Sequence, residues 1–171
     1  MSIQIIDNCC SPSYLDLIKH IASNDDNWNL KHPFNRPLEE RHLKLYITNN
    51  NDIIHPLLAG IAMGLLIQIY DAGGKDYFIP EIVFAGLSIK DKHRKDNVHT
   101  DHTKRENVIK ILGIVNSDWQ ESWGGGFIHD EESNYIKPTS FALFDSTVPH
   151  AADVILTDKK RMAIDFTVRK K

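Results

Sequence analysis

Residues 141–168 read FALFDSTVPHAADVILTDKKRMAIDFTV, and this stretch is the clearest indication of the fold class. Three short runs within it, 141–144, 154–156 and 162–168, are rich in apolar, β-branched and aromatic residues. Turn-forming residues, such as Thr-Asp-Lys at 157–159, separate the runs. Several short strands at this spacing are typical of a β-sandwich or β-barrel. The stretch therefore predicts the C-terminal part of a β-core.

The same pattern begins at residue 78. Runs at 78–89, 108–115 and 127–129 have the same character, and the polar turn at 116–118 and the glycines at 124–126 separate them. Together with the later runs, they predict a β-core of about eight strands.

The preceding residues have a different pattern. A Ser-Pro pair at 11–12 is typical of a helix start, and the apolar residues after it recur on one helical face. Apolar and polar residues alternate at 43–47, which predicts a half-buried strand, and the pattern is helical again at 53–70. We therefore expect residues 1–77 to form a helical support region and residues 78–169 to form the β-core.

Length and composition predict one globular domain spanning 1–171. Of the 171 residues, 42% are hydrophobic and 25% are charged, as in ordinary globular proteins. The net charge of −3 argues against nucleic acid as a partner, because dedicated nucleic-acid binders are usually basic. The longest apolar stretch, 57–70, is shorter than the roughly 20 residues of a membrane span, so we expect no membrane partner.

The two cysteines, Cys9 and Cys10, are adjacent and cannot cross-link distant parts of the fold. So low a cysteine count is typical of a reducing compartment. The first residues also lack the basic and apolar segments of a secretory signal. We therefore expect a cytoplasmic protein, and no pattern predicts its oligomeric state.

The first candidate for chemistry is the pair His99 and Asp101. On a strand, residues i and i+2 point the same way, so both side chains could bind one metal ion. A chain of this composition contains roughly one such pair by chance. His129 and Glu131 form a second pair with the same spacing, so the spacing alone leaves two candidates.

A polar run at 90–96, KDKHRKD, precedes the first pair. A solvated, mobile loop is its first-ranked interpretation. Electrostatic steering of an anionic substrate toward the metal is the second.

A third ligand and an anion-binding residue support the first pair. His150 begins a predicted strand and Arg161 opens the last one, and a turn at 157–160 is expected to pair these strands as a hairpin. Two histidines and one carboxylate bind one face of an octahedral metal and leave three positions open, as in non-haem iron(II) oxygenases. A keto acid can occupy two of these positions, and an arginine fork can bind its distal carboxylate.

Taken together, His99-x-Asp101, His150 and Arg161 resemble the motif of the 2-oxoglutarate and iron(II)-dependent dioxygenases, most closely their prolyl 4-hydroxylase-like branch. Three further stretches resemble that branch: its strand with an Asn-x-x-Trp turn at 107–119, its double-glycine turn at 123–127, and its Pro…Phe…His segment at 138–150. The resemblance covers residues 83–167, about half of the chain.

The resemblance implies a mainly β (α+β) fold, a double-stranded β-helix (a jelly-roll, cupin-like core) with supporting N-terminal helices. It implies an enzyme that uses iron(II) and 2-oxoglutarate, with ascorbate as a candidate reductant, to hydroxylate an unactivated C–H bond. In such an enzyme, His99, Asp101 and His150 are the catalytic metal ligands, and Arg161 binds the co-substrate 2-oxoglutarate. A peptidyl proline ranks first as the substrate.

Three alternatives stay open. The same chemistry on a free amino acid or another small molecule ranks second. Nucleobase demethylation ranks third, because Asp165 stands where the alkylation-repair branch has asparagine. A non-catalytic jelly-roll module that binds metal without turnover is the alternative from a different class, and the four filled motif positions argue against it.

The chain departs from the family pattern at Ile114, where related prolyl hydroxylases often have a tyrosine that contacts 2-oxoglutarate. Lys110 lies on the same face of that strand and is a candidate to supply the missing contact. On the last strand, Asp165 and Thr167 share the face of Arg161, which makes Thr167 a further candidate contact to the co-substrate.

The family fold also bears on the second candidate pair. In that fold several strands separate the first two ligands from the distal histidine, whereas the interval from His129 to His150 has room for about two. The resemblance therefore assigns His129 and Glu131 to a β-turn or to a loop on the substrate side.

Overall fold

The computed structural model describes residues 2–31, 42–94, 96–101, 107–145 and 147–171. In these ranges the chain forms two α-helices and eleven β-strands. The helices are α1 (Pro12–Ser23) and α2 (Pro56–Ala72). The strands are β1 (Gln4–Ile6), β2 (Asn29–Lys31), β3 (His42–Asn49), β4 (Asp52–Ile53), β5 (Phe78–Lys90), β6 (Val108–Ile114), β7 (Phe127–His129), β8 (Glu132–Asn134), β9 (Phe141–Phe144), β10 (His150–Ala152) and β11 (Arg161–Lys170).

Eight strands form one antiparallel sheet in the order β1-β9-β6-β11-β5-β3-β2, with β4 paired to β3. The last strand, β11, lies between β5 and β6 at the centre of this large sheet. A small antiparallel sheet has the order β10-β7-β8. The fold is therefore mainly β, as predicted, and its central strand comes from the C-terminal end of the chain.

Alternation along β11 gives the large sheet an apolar face and a polar face. Met162 and Ile164 belong to the main hydrophobic core, whereas Arg161, Ala163 and Asp165 line a cavity. Successive side chains of a strand point to opposite faces of its sheet. One strand thus contributes both to the core and to the polar lining of the cavity.

Helices α1 and α2 pack on the apolar face of the large sheet. Leu15 of α1 and Leu65 of α2 belong to the same core as the apolar residues of β3, β5, β6 and β11. Helix α1 begins as predicted, because the Ser11 hydroxyl accepts the N–H of Tyr14 at 3.3 Å and caps the first turn. Helix α2 ends at Gly73, its C-cap. The predicted supporting helices are therefore present.

Within the described ranges, the first 77 residues also contribute four strands, of which the sequence predicted only the one at 43–47. Strand β1 pairs with β9, and β3 pairs with β5, so the large sheet crosses the expected boundary at residue 77. The strand predicted at 43–47 lies within β3. None of the helices in the described ranges is long and apolar enough to span a membrane.

The predicted strand at 154–156 is wrong, because these residues form only an isolated bridge between Ile155 and Gly124. The glycine turn binds their backbone instead: the N–H of Gly125 donates to the carbonyl of Val154 at 2.7 Å. Gly124 and Gly125 have φ angles of +67° and +72°, and a Cβ at Gly124 would lie 2.4 Å from the Val154 oxygen. Glycine adopts this conformation without a steric penalty.

The predicted hairpin between the strands of His150 and Arg161 is also wrong. Strand β10 pairs with β7 in the small sheet, whereas β11 pairs with β5 and β6 in the large sheet. The connection between β10 and β11 cannot form a hairpin ladder, because its backbone bonds to the glycine turn. His150 and Arg161 instead line one cavity from different sheets.

Candidate metal centre

A cavity of about 560 Å³ lies between the two sheets. Residues from β3, β5, β6, β9 and β11 of the large sheet line the cavity on one side, and residues from β7 and β10 of the small sheet line it on the other. The segment between β5 and Asp101 also contributes side chains to the lining. A cavity of this size suits a small organic ligand.

Three side chains with metal-ligating atoms converge at this cavity. One atom each from His99, Asp101 and His150 lies within 4.8 Å of the others. Nε2 of His150 is 3.8 Å from Oδ2 of Asp101, and Nε2 of His99 is 4.0 Å from Oδ1. Two backbone N–H···O bonds of 3.0 and 2.9 Å between His99 and His150 hold the histidines opposite each other. The three predicted ligands therefore lie together.

Hydrogen bonds to the main chain orient both imidazole rings. Nδ1 of His99 donates to the carbonyl of Asn97 at 2.9 Å, and Nδ1 of His150 donates to the carbonyl of Val148 at 2.8 Å. Because a carbonyl oxygen can only accept, each Nδ1 has a proton, and in the neutral ring each Nε2 has a free lone pair. Burial lowers the pKa of His150, which favours its neutral form. Metal-binding histidines are oriented in this way.

The donor set fits a divalent first-row metal such as iron(II). Two imidazoles and one carboxylate can occupy one face of an octahedral ion and leave the other face open. Ligand atoms at about 2.1 Å from one ion in such a facial set lie about 3 Å apart. Metal binding would therefore draw the three side chains closer together.

Arg161 lines the same cavity and is only 4% exposed. Its Nη1 donates to the carbonyls of Gly125 and Gly126, and its Nε has no hydrogen-bond partner in the described part of the chain. A Cβ at Gly125 would lie 3.3 Å from Nη1, so the glycine turn makes room for the guanidinium. Burial lowers the pKa of Arg161 to about 10, although Asp96 opposes this effect. The guanidinium thus retains capacity to bind an anion.

Lys110 lies in the cavity lining and belongs to a buried ion cluster with Lys44 and Asp165. The Asp165 carboxylate accepts hydrogen bonds from Nζ of Lys44 at 2.7 Å and of Lys110 at 3.0 Å. Nζ of Lys110 also lies 3.4 Å from Oδ2 of Asp101. Burial lowers the pKa of Lys110, but Asp165 and then Asp101 outweigh it and raise the pKa. The Lys110 ammonium therefore stays charged beside a candidate metal ligand.

The predicted co-substrate contact Thr167 lies outside the described lining, and so does Ile114, the position at which related enzymes often have a tyrosine. Thr167 is buried on β11 opposite Lys110, and the described lining on this strand ends at Asp165. Ile114 packs against Trp119 in a separate apolar cluster.

The second candidate pair, His129 and Glu131, does not join the metal cluster. His129 is buried on β7, opposite His150, and its ring centroid is 6.0 Å from that of Phe144. Glu131 lies in the turn between β7 and β8 with a φ of +67°. The one group of potential metal ligands found within the described ranges consists of His99, Asp101 and His150.

Sequence reasoning missed four further ionic residues of the cavity. They are Lys44, Lys90, Arg94 and Asp96. The Asp96 carboxylate binds both Lys90 and Arg94, so these three residues of the run are not part of a solvated loop. Strand alternation could have placed Lys90 in the cavity, because Leu87 and Ile89 face away from it.

Comparison with known proteins identifies the fold. No protein-family model and no curated protein matches the sequence. A prolyl-4-hydroxylase from Pseudomonas putida superposes with a TM-score of 0.65 at 14% identity, covering 98% of this chain and 92% of that chain. HygX from Streptomyces hygroscopicus, with nickel and 2-oxoglutarate bound, gives a TM-score of 0.69 at 10% identity, covering 98% and 82%. A prolyl hydroxylase from Trichoplax adhaerens, in complex with a hypoxia inducible factor peptide, gives 0.63 at 15% identity, covering 98% and 83%.

TM-scores of 0.63 to 0.69 over 98% of this chain establish a shared fold, although the sequence identities are only 10 to 15%. The two facing sheets, the helices on the large sheet and the metal-ligand cluster in the cavity agree with that fold. The chain therefore has the double-stranded β-helix fold of prolyl hydroxylases and other 2-oxoglutarate oxygenases.

Proposed function

We propose that this protein is an iron(II)- and 2-oxoglutarate-dependent dioxygenase that hydroxylates an unactivated C–H bond. One observation carries the proposal: His99, Asp101 and His150 converge at a cavity that also contains the buried guanidinium of Arg161. The fold shared with HygX, which binds nickel and 2-oxoglutarate, supports it.

The residues have separate roles in this proposal. His99, Asp101 and His150 hold iron(II), and Arg161 binds the distal carboxylate of 2-oxoglutarate. The metal and the co-substrate together supply the chemistry that inserts one oxygen atom into a C–H bond, with release of carbon dioxide and succinate. The protein ligates the metal, orients the co-substrate and excludes water.

Lys110 and Thr167 are proposed as further contacts to the co-substrate. The position of Lys110 in the lining, 3.4 Å from Asp101, supports its role. Thr167 is supported only by the strand face that it shares with Arg161.

We rank a peptidyl proline first as the substrate and a small molecule second. Both prolyl hydroxylases compared above have this fold, one of them in complex with a peptide, whereas HygX has also been solved with hygromycin B. The net charge of −3 argues against nucleic acid.

We also propose a cytoplasmic location, with ascorbate as the reductant that keeps the iron ferrous. Cys9 and Cys10 are both free thiols, which suits a reducing compartment.

Turnover assays test the proposed function. The iron(II)-loaded protein is incubated with 2-oxoglutarate and either proline-containing peptides or small molecules, and mass spectrometry follows succinate release and the gain of one oxygen atom. We expect substrate-dependent turnover in the wild type and none in His99→Ala or Asp101→Ala, because each variant lacks a metal ligand. His20→Ala, at an exposed position of α1, is the matched control and should keep full activity.

Turnover that survives both His99→Ala and Asp101→Ala would sink the assignment. A protein that binds iron and never consumes 2-oxoglutarate would favour the non-catalytic metal-binding module. Oxidation of methylated nucleobases without peptide turnover would reverse the substrate ranking.

A further inference from the structure

A second cation lies beside Arg161 in the cavity. Lys90 is directly opposite Arg161 in the register of β5 and β11, and both side chains line the cavity. The Lys90 side chain is 15% exposed. Like charges directly opposite each other on neighbouring strands are destabilising, so this position calls for a compensating anion.

Asp96 supplies part of that compensation. Its carboxylate binds Nζ of Lys90 through one oxygen and Nε of Arg94 through the other. The Asp96 side chain is 4% exposed, so this carboxylate lies inside the protein. It belongs to the segment that leads from β5 to the candidate metal ligand His99.

The cluster still has more positive than negative charge. Among the described residues, these three cations, Lys90, Arg94 and Arg161, face the carboxylate of Asp96, and Asp153 acts on Arg161 more weakly than Asp96 does. Burial lowers the pKa of Lys90 to about 8, even though Asp96 opposes this effect. Nε of Arg161 also finds no hydrogen-bond partner among the described residues. Buried charges are stable only when paired, so this end of the cavity favours one further carboxylate.

This inference rests on the proposed function and concerns the same site. We propose that Lys90 and Arg161 together bind the distal carboxylate of 2-oxoglutarate, and that Asp96 competes with this carboxylate for Lys90. Two cations on one carboxylate give more charge-assisted hydrogen bonds than one arginine alone. Asp96 therefore limits the affinity of the site for the co-substrate.

The protonation of Lys90 gives this proposal a pH dependence. Among the described residues, four groups face the Lys90 ammonium: Asp96 and Arg94 from the following segment, Arg161 from β11 and His42 from β3. Burial, followed by the charge of Lys90, lowers the pKa of His42 to about 3, so His42 is neutral at pH 7. Above about pH 8, Lys90 has lost its proton. The co-substrate carboxylate can then pair with Lys90 only if Lys90 takes up a proton at the same time, so the affinity for the co-substrate falls.

The dissociation constant of 2-oxoglutarate tests the proposal. It is measured anaerobically on the iron(II)-loaded protein from the visible charge-transfer band of a chelated keto acid, between pH 7 and 9. We expect Lys90→Met to weaken binding by about tenfold or more, since it removes a charge-assisted hydrogen bond, and to lose the pH dependence. We expect Asp96→Asn to strengthen binding several-fold.

Two controls distinguish loss of the Lys90 contact to the distal carboxylate from general damage to the protein. Lys92→Met removes the same charge from an exposed lysine that pairs with Asp158, and it should leave the dissociation constant unchanged. Pyruvate chelates a metal in the same way but has no distal carboxylate, so Lys90→Met should leave pyruvate binding unchanged.

Each outcome has a separate meaning. If the wild type shows no band with either keto acid, the proposed function fails. If the wild type shows the band and Lys90→Met binds 2-oxoglutarate equally well, only the two-cation site fails. If Lys90→Met loses pyruvate binding as well, Asp96→Asn decides, and unchanged or weaker binding of 2-oxoglutarate in that variant overturns the proposal.

Discussion

Asp96 illustrates how neighbouring charges determine the state of a single buried side chain. Burial raises the pKa of its carboxyl, but Lys90 and then Arg94 outweigh this effect and lower the pKa from 3.8 to about 2. A carboxyl whose pKa is depressed by folding stabilises the protein above its unfolded pKa and loses this contribution as the pH falls through its folded pKa. The stabilisation from Asp96 is therefore full above about pH 4 and is lost toward pH 2.

Replacing Asp96 by asparagine should lower the free energy of unfolding by about 2 kcal/mol at pH 7. The difference from the wild type should shrink as the pH is lowered from 4 toward 2, because the wild-type carboxyl then becomes neutral as well. Urea unfolding at pH 7, 4 and 2.5 measures this difference. Asp118→Asn, in an exposed ion pair with Lys159, is the control and should have little effect. A loss for Asp96→Asn that is the same at all three pH values would contradict the account.

The sequence predicts the metal ligands better than it predicts their ionic surroundings. His99 and Asp101 are two residues apart, and local spacing is visible in a sequence. Lys44 and Asp165 are 121 positions apart, and only the pairing of β3, β5 and β11 brings them together. Ion pairs of this kind depend on strand order and register, and these cannot be predicted from the local sequence.

The contact between the two helices depends on a glycine of α2. The Tyr14 hydroxyl of α1 donates to the carbonyl of Ile61 at 2.8 Å. A Cβ at Gly64 would lie 2.5 Å from that hydroxyl oxygen, whereas a Cβ at Gly60 would meet nothing within 4 Å. A side chain at position 64 would therefore clash with Tyr14, whereas a side chain at position 60 would meet no other atom.

Alanine substitutions at these two glycines should have opposite effects. Gly64→Ala should destabilise the protein by about 1–3 kcal/mol, because the methyl group overlaps the Tyr14 hydroxyl. Gly60→Ala should stabilise it by up to about 1 kcal/mol, because alanine favours the helix. Thermal and urea unfolding give both values. Adding Tyr14→Phe to Gly64→Ala should recover part of the loss, and a double variant no more stable than expected from adding both single losses would contradict this packing.

Prediction of the elements succeeds where a local pattern dominates. The capped helix at Ser11 and the alternating strand at 43–47 are visible in a short window of sequence. The strand predicted at 154–156 fails, because Gly124 and Gly125 bring the turn close enough to bind its backbone. β-Propensity alone does not reveal such a competing partner.

The arrangement of the whole molecule explains why the site is internal. The large sheet has its apolar face against the helices and its polar face against the small sheet, and the cavity lies between the two sheets. His150 belongs to the small sheet and Arg161 to the large sheet. The resemblance to known oxygenases predicts this fold, whereas the expected hairpin between His150 and Arg161 does not form. Arg161 and Asp96 are largely shielded from water there, so they interact strongly with a bound carboxylate, whereas the His99 side chain is half exposed.

The central claim is that His99, Asp101 and His150 hold a metal to which 2-oxoglutarate binds. The most direct test is anaerobic titration of the iron(II)-loaded protein with 2-oxoglutarate, followed by visible absorption. The account predicts the weak charge-transfer band of a chelated keto acid in the wild type and in His20→Ala, and its loss in His150→Ala. Iron binding without the band, or a band that persists in His150→Ala, would contradict it.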